Sequence, residues 1–172
     1  MTAAGIIEGR AWVFGDNIDT DVLAPGYLMK LPPEELAKHC LEAVNPDFAA
    51  NVKPGDVLVA GDNLGLGSSR EQAAQSLKIL GVGALVAKSF ARIFYRNAIN
   101  FGVPAFFLGE AGDIRQGDKL RIDLAAGRIE NLDQDRVYAA PGLPDHLMEV
   151  IAAGGLMAHL ERRLDSAGGA RP

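Results

Sequence analysis

The chain has 172 residues, enough to bury one core and too few for two comfortable domains. Hydrophobic residues make up 48% and charged residues 23%, proportions that exclude a largely disordered chain. Seventeen Lys and Arg face 22 Asp and Glu, and the net charge of -5 repels phosphate backbones and anionic lipid, so no nucleic-acid or membrane partner is expected.

Met1-Thr2-Ala3-Ala4-Gly5 carries no basic residues leading into a long apolar run. Neither a secretory signal nor a membrane anchor is expected, and the cytoplasm is the expected compartment. Gly9 to Phe14 alternates loosely and ends at the turn Gly15-Asp16-Asn17, which predicts an opening strand. A loop carries Asp19-Thr20-Asp21, then Tyr27-Leu28-Met29-Lys30 follows Pro25-Gly26. Two prolines suit the first turn of a helix from about Pro33 to Leu41. Cys40, the only cysteine, falls in that stretch and reads as a buried structural thiol. With one cysteine, no internal disulfide and no multi-cysteine metal or iron–sulfur site can be built from this chain.

Val57-Leu58-Val59-Ala60 and Ala84-Leu85-Val86-Ala87 are short all-apolar runs of the kind a strand covered on both faces shows. Between them, Ala73, Ala74, Leu77 and Leu80 fall at helical spacing within Ser69–Leu80, with Gly81 as the stop. Phe90, Phe94, Ala98 and Phe101 mark a second helix ended by Gly102, and Val103 to Leu108 reads as a third strand. Strand, helix, strand, helix, strand implies a parallel sheet. Lys119–Leu124 and Arg128–Leu132 flank Ala125-Ala126-Gly127 as a hairpin, and His146–Ala153 is a helix ended by Gly154-Gly155. The expected fold class is therefore α/β, one domain over residues 1–172 with a small, polar, frayed tail at 165–172.

The stretch with most chemistry is Gly61 to Glu71, between a buried strand and a helix, where free backbone N–H groups and a positive dipole end attract an anion. Locally it fits a capping box with Ser68 as N-cap and Glu71 reaching back, a reading that requires no activity. Nucleotide binding fits poorly, because Arg70 stands where the dinucleotide fingerprint needs Gly and no Gly-Lys-Ser/Thr completes a phosphate loop. Two serines and an arginine suit a carboxylate, with Arg70 in a bidentate pair.

Gly67-Ser68-Ser69-Arg70-Glu71, followed by Lys88-Ser89-Phe90-Ala91-Arg92-Ile93 and preceded by Asp16-Asn17-Ile18-Asp19-Thr20-Asp21, resembles the swivel domain of the aconitase superfamily. The likeness runs from about Gly9 to Leu164. The short free-standing format is similar to the small subunits of its isopropylmalate isomerase branch. The resemblance implies a swivelling β/β/α-type domain with a central, partly parallel sheet flanked by helices. It implies a large subunit holding a [4Fe-4S] cluster, in a heterodimer or heterotetramer, with no cofactor or metal on this chain. The implied reaction is loss and re-addition of water on a 2-hydroxy dicarboxylic acid, isomerising 2- and 3-isopropylmalate in leucine biosynthesis. By motif position Ser68 is the base and Arg70 grips a substrate carboxylate, while Ser69 either bonds the same carboxylate or satisfies the helix end. Asp21, with Thr20, either orients an arginine near the site or forms a turn. Lys88 and Arg92 read as structural or interfacial, and His39, His146 and His159 are assigned no catalytic role.

Substrate choice in the family lies in the loop Tyr27-Leu28-Met29-Lys30. Met29 stands where relatives acting on tricarboxylic acids have arginine, which favours an alkylmalate, though Lys30 could also reach an anion. Leu66 and Gln72 depart from the commoner pattern. A dimethylmalate or homoaconitate-type hydratase, a non-catalytic carboxylate-binding module and a purely structural subunit stay open. The isolated chain could also self-associate through surfaces meant for its partner.

Overall fold

The computed structural model describes residues 5–168. Residues 1–4 and 169–172, and with them the expectations for those ends, lie outside the described residues. Seven strands form one mixed sheet in the order β4-β3-β2-β1-β5-β6-β7. They are β1 (Ile6–Val13), β2 (Val57–Ala60), β3 (Ala84–Ala87), β4 (Ala105–Phe107), β5 (Lys119–Asp123), β6 (Arg128–Asn131) and β7 (Arg136–Ala139). β1 joins the two halves by using different stretches on its two edges. Ala11–Val13 pair in parallel with Val57–Val59 of β2, and Ile6–Arg10 pair antiparallel with β5.

The parallel half is covered on both sides, which is why its strands read as unbroken apolar runs. Leu58, Ala60, Leu85 and Ala87 point into one cluster with Ala73, Ala74 and Leu77 of α4 (Gln72–Ile79) and Phe94 and Ala98 of α5 (Arg92–Asn100). Their alternating neighbours Val57, Val59, Ala84 and Val86 point the other way. There they meet Leu120, Ile122, Ile129 and Tyr138 of the antiparallel half and Val150 and Ile151 of α6 (Asp145–Ala152). The sheet thus curls so that its second half closes the core beneath its first.

Four further α-helices lie among the described residues: α1 (Thr20–Leu23), α2 (Pro33–Ala37), α3 (Phe48–Asn51) and α7 (Leu156–Gly168). α2 stops at Ala37, short of Leu41. Leu41 takes φ +62° and turns its N–H to the Val22 carbonyl, 3.0 Å away, so a tertiary bond replaces the next helical one. Asp165 to Gly168, expected in a frayed tail, are helical and belong to α7. β7 is missing from the sequence reading, although the Asp118 network shapes the turn that leads to it. Burial alone would raise the Asp118 carboxyl. Hydrogen bonds from Asn131 Nδ2 at 2.7 Å, the Arg115 N–H at 2.8 Å and Gln134 Nε2 at 2.6 Å outweigh that and hold it below the usual carboxylate range.

Cys40 has no exposed surface, and burial pushes its thiol pKa far up, so the thiolate that reacts or binds metal is suppressed. Native protein should therefore resist a disulfide-exchange thiol reagent and react stoichiometrically once unfolded in urea. Rapid labelling of the native state would contradict this burial.

Candidate active site

The three motif segments, far apart in sequence, are laced together at the carboxyl ends of β1, β2 and β3. The Gly65 N–H donates to the Ile18 carbonyl at 2.7 Å, and the Thr20 N–H to the Leu66 carbonyl at 2.9 Å. Asp62 holds the other side: its carboxylate accepts from Ser89 Oγ at 3.1 Å, and its carbonyl accepts the Asn17 N–H at 2.8 Å. Gly65 permits this approach. Its φ is +84°, and a Cβ there would run into the ring of Phe94 from α5.

Ser68 stands on the exposed crest of this loop. Its N–H donates to Thr20 Oγ1 at 3.2 Å, and the two hydroxyls are also 3.2 Å apart. Thr20 itself is 3% exposed, so a buried group on α1 fixes an exposed hydroxyl. The capping-box expectation is corrected here. α4 begins at Gln72, four residues after Ser68, and Glu71 occupies its N-cap position without a side-chain cap bond. The Ser68 N–H that would start the cap motif is instead taken by Thr20, and the positive end of α4 does not begin at the serine.

Another helix faces Ser68. A cleft of about 660 Å³ is lined by Gly65, Gly67, Ser68, Ala91, Arg92, Ile93 and Arg96, so the serine opens onto the first turns of α5. Ala91 occupies the N-cap of that helix and supplies no capping side chain. Ser69 is exposed and has no hydrogen-bond partner among the described residues.

Arg70, two residues after Ser68, is not among the residues that line this cleft. Its Nη1 donates to the Ala24 carbonyl at 2.7 Å and to Asp21 Oδ1 at 3.2 Å, while Nη2 keeps no partner among the described residues. Asp21 also accepts the Gly26 N–H at 2.8 Å. That backbone bond, and then the Arg70 guanidinium, hold the Asp21 carboxyl below its ordinary value. Asp21 thus makes both a local loop-closing bond and an arginine contact.

The loop after Asp21 behaves less uniformly than expected. Tyr27 is 80% exposed and its hydroxyl donates to Glu42, whereas Leu28 and Met29 are partly buried against the core and Lys30 is exposed. None of the four lines the Ser68 cleft. Arg96 and Ile93 do line it and were not singled out from sequence. The available signal was the repeat of arginine at positions 92 and 96, one helical turn apart, the first inside the third motif and the second just beyond it.

The family described as Aconitase C-terminal domain matches residues 35–106. A 3-isopropylmalate dehydratase small subunit of Nautilia profundicola is 52% identical over 153 residues, 88% of this chain and 92% of that protein. The chain belongs to the aconitase-type dehydratase small subunits. A methanogen homoaconitase small subunit of Methanothermobacter thermautotrophicus is 47% identical to this small subunit over 163 residues, 94% of this chain and 95% of the relative. The crystal structure of a 3-isopropylmalate dehydratase from Methanocaldococcus jannaschii shares its fold with a TM-score of 0.90 at 42% identity, covering 96% of this chain and 99% of that one. The small subunit is accordingly a hydro-lyase component with the α/β swivel-domain fold.

No cluster ligands come from its one cysteine, since Cys40 is sealed in the core. Among the described residues no group of three or more His, Cys, Asp or Glu side chains could hold a metal ion. No helix of the described residues is long and apolar enough to cross a membrane.

The Asp21 pair can be tested by NMR titration. Its carboxyl should titrate below the usual carboxylate range of about 3.9, and Arg70→Gln should move the midpoint upward. The linked stabilisation is present above the unfolded value and lost as pH falls through the folded one. An unchanged midpoint in the variant would show that the guanidinium does not act on Asp21.

Proposed function

We propose that this small subunit completes the active site of a two-chain dehydratase that isomerises 2- and 3-isopropylmalate. The observation that carries the reading is an exposed Ser68 hydroxyl, fixed by buried Thr20, with a held guanidinium two residues on. In this reading a large subunit carries a [4Fe-4S] cluster, which supplies Lewis-acid activation of the leaving hydroxyl. The complex belongs in the cytoplasm, and residues 1–172 act as one swivel domain.

This chain supplies the proton transfer and part of the grip. In dehydration Ser68 Oγ accepts the proton from the carbon next to the hydroxyl-bearing one, the C–H electron pair forms the new C=C bond, and hydroxide departs. Rehydration in the other sense returns the proton from Ser68 to the alternative carbon. A serine hydroxyl is a weak base near neutral pH, so its anion needs a positive setting. The uncapped first turn of α5 across the cleft provides backbone dipole for that.

Arg70 offers its free Nη2 edge to a substrate carboxylate and steadies the charge that spreads into it as the C–H bond breaks. Asp21 and the Ala24 carbonyl anchor the opposite side of the guanidinium, so the side chain is preorganised rather than searching. Ser69, with a free hydroxyl, bonds the same carboxylate.

Alkylmalate is favoured over a tricarboxylic acid because Met29 cannot pair a third carboxylate. Its partly buried side chain instead packs against the core beneath that loop. The methanogen homoaconitase relative keeps the tricarboxylic alternative in the assay, which should include isopropylmalate, dimethylmalate, citrate and homocitrate under anaerobic conditions.

With the large subunit from the same source, Ser68→Ala should lower kcat by about 10²- to 10⁴-fold, the range for a positioned acid–base group. KM and complex formation should stay within a few fold. Near-normal turnover would remove Ser68 as the base, and activity confined to homocitrate would remove the alkylmalate assignment.

A further inference from the structure

Arg92 and Arg96 have no ion-pair or hydrogen-bond partner for their side chains among the described residues, and both are exposed on one face of α5. Their placement is locally unfavourable. Arg92 opens the helix, where a cation opposes the backbone dipole, and no acidic residue lies in that turn to compensate. Some basic side chains find acidic partners, as Arg128 does with Glu130 and Arg121 with Glu8, and Arg92 and Arg96 do not.

Apolar surface lies beside the pair. Ile93 is 44% exposed between the arginines, and Phe107 of edge strand β4 is 42% exposed. Phe107 rests against Phe90 and Tyr95 with ring centroids 5.0 and 5.4 Å away, so it belongs to a rigid aromatic group on the flank of α5. Exposed aliphatic and aromatic side chains bordered by arginine are the composition of a protein–protein contact rather than of free surface. Ser68 opens onto this same face, and in the reading above a second polypeptide must reach Ser68 to deliver the substrate.

We propose that the α5 face, with Arg92 and Arg96 as charged anchors and Ile93 and Phe107 as apolar contacts, docks the large subunit through an acidic patch on that chain. The proposal rests on the two-chain dehydratase reading and adds the surface, its polarity and the residues that select the partner. Charge at such a contact acts on encounter rate and partner choice more than on the chemistry behind it.

The test uses the full-length chain and the large subunit from the same source. Binding is measured by calorimetry, apart from turnover, for wild type, Arg92→Gln/Arg96→Gln and Arg92→Glu/Arg96→Glu, with thermal melts to check folding. The Gln pair should weaken binding about tenfold and the Glu pair about a hundredfold. Raising salt from 50 to 500 mM should weaken wild type far more than the Gln pair. Affinity is the deciding readout, and turnover and KM are measured alongside it at saturating large subunit. Unchanged affinity with a raised KM would overturn the proposal and assign the arginines to the substrate dianion. Unchanged affinity and KM would overturn it by leaving the surface idle. If wild type binds the large subunit but converts none of the hydroxy acids, the function reading fails while the docking face stands. If wild type does not bind at all, both fall.

Discussion

The Gly61–Glu71 loop lies within backbone hydrogen-bonding distance of the Ile18–Thr20 segment while pressed against the ring of Phe94, and that closeness needs a residue without a side chain at 65. From this contact follow the other features of the site. The Leu66 carbonyl receives the Thr20 N–H, which brings Thr20 Oγ1 under Ser68. Thr20 begins α1, whose end places the Ala24 carbonyl for Arg70. The same packing sets α5 across the cleft from the serine. One glycine thus couples three segments that are separately ordinary turns and helix starts.

The cations around the loop are held in two different ways. Arg70 is balanced by Asp21 and by a carbonyl, leaving a single edge for a ligand. The first turns of α5 carry two arginines with no internal counter-charge. Two such arginines beside exposed Ile93 and the Ser68 cleft fit a face completed by a second polypeptide. The sealed thiol of Cys40 agrees with the proposed division, in which this chain offers a hydroxyl and a guanidinium and no cluster ligands.

Much of the fold is legible in the residues. Val57–Ala60 and Ala84–Ala87 read as strands covered on both faces because every position is apolar, and the structure buries all eight. The spacing of Phe94 and Ala98 gives α5 for the same physical reason. The start of α4 is misread because the Ser68-to-Glu71 pattern is a sound local cap, overridden by a hydroxyl 48 positions away in sequence. α7 receives no bounds from the sequence although Leu156, Leu160 and Leu164 recur at helical spacing, because none of its residues is fully buried and its end runs into a small, polar tail. Ser68, Arg70 and Asp21 are singled out by motif, and the hydrogen bonds that tie them to Thr20 and Ala24 are visible only in the fold. The cleft partner of Ser68 is hidden because Arg92 and Arg96 acquire meaning only once α5 is packed opposite the glycine loop.

Proton delivery to carbon is the most direct test of Ser68. The large-subunit complex is given the unsaturated diacid in deuterated water, and the product is read by NMR for deuterium on the newly saturated carbon. Wild type is expected to yield carbon-deuterated alkylmalate, and the Ser68→Ala complex, still binding the diacid, less than about a hundredth as fast. Undiminished deuteration by the alanine complex would contradict a serine proton donor at this cleft.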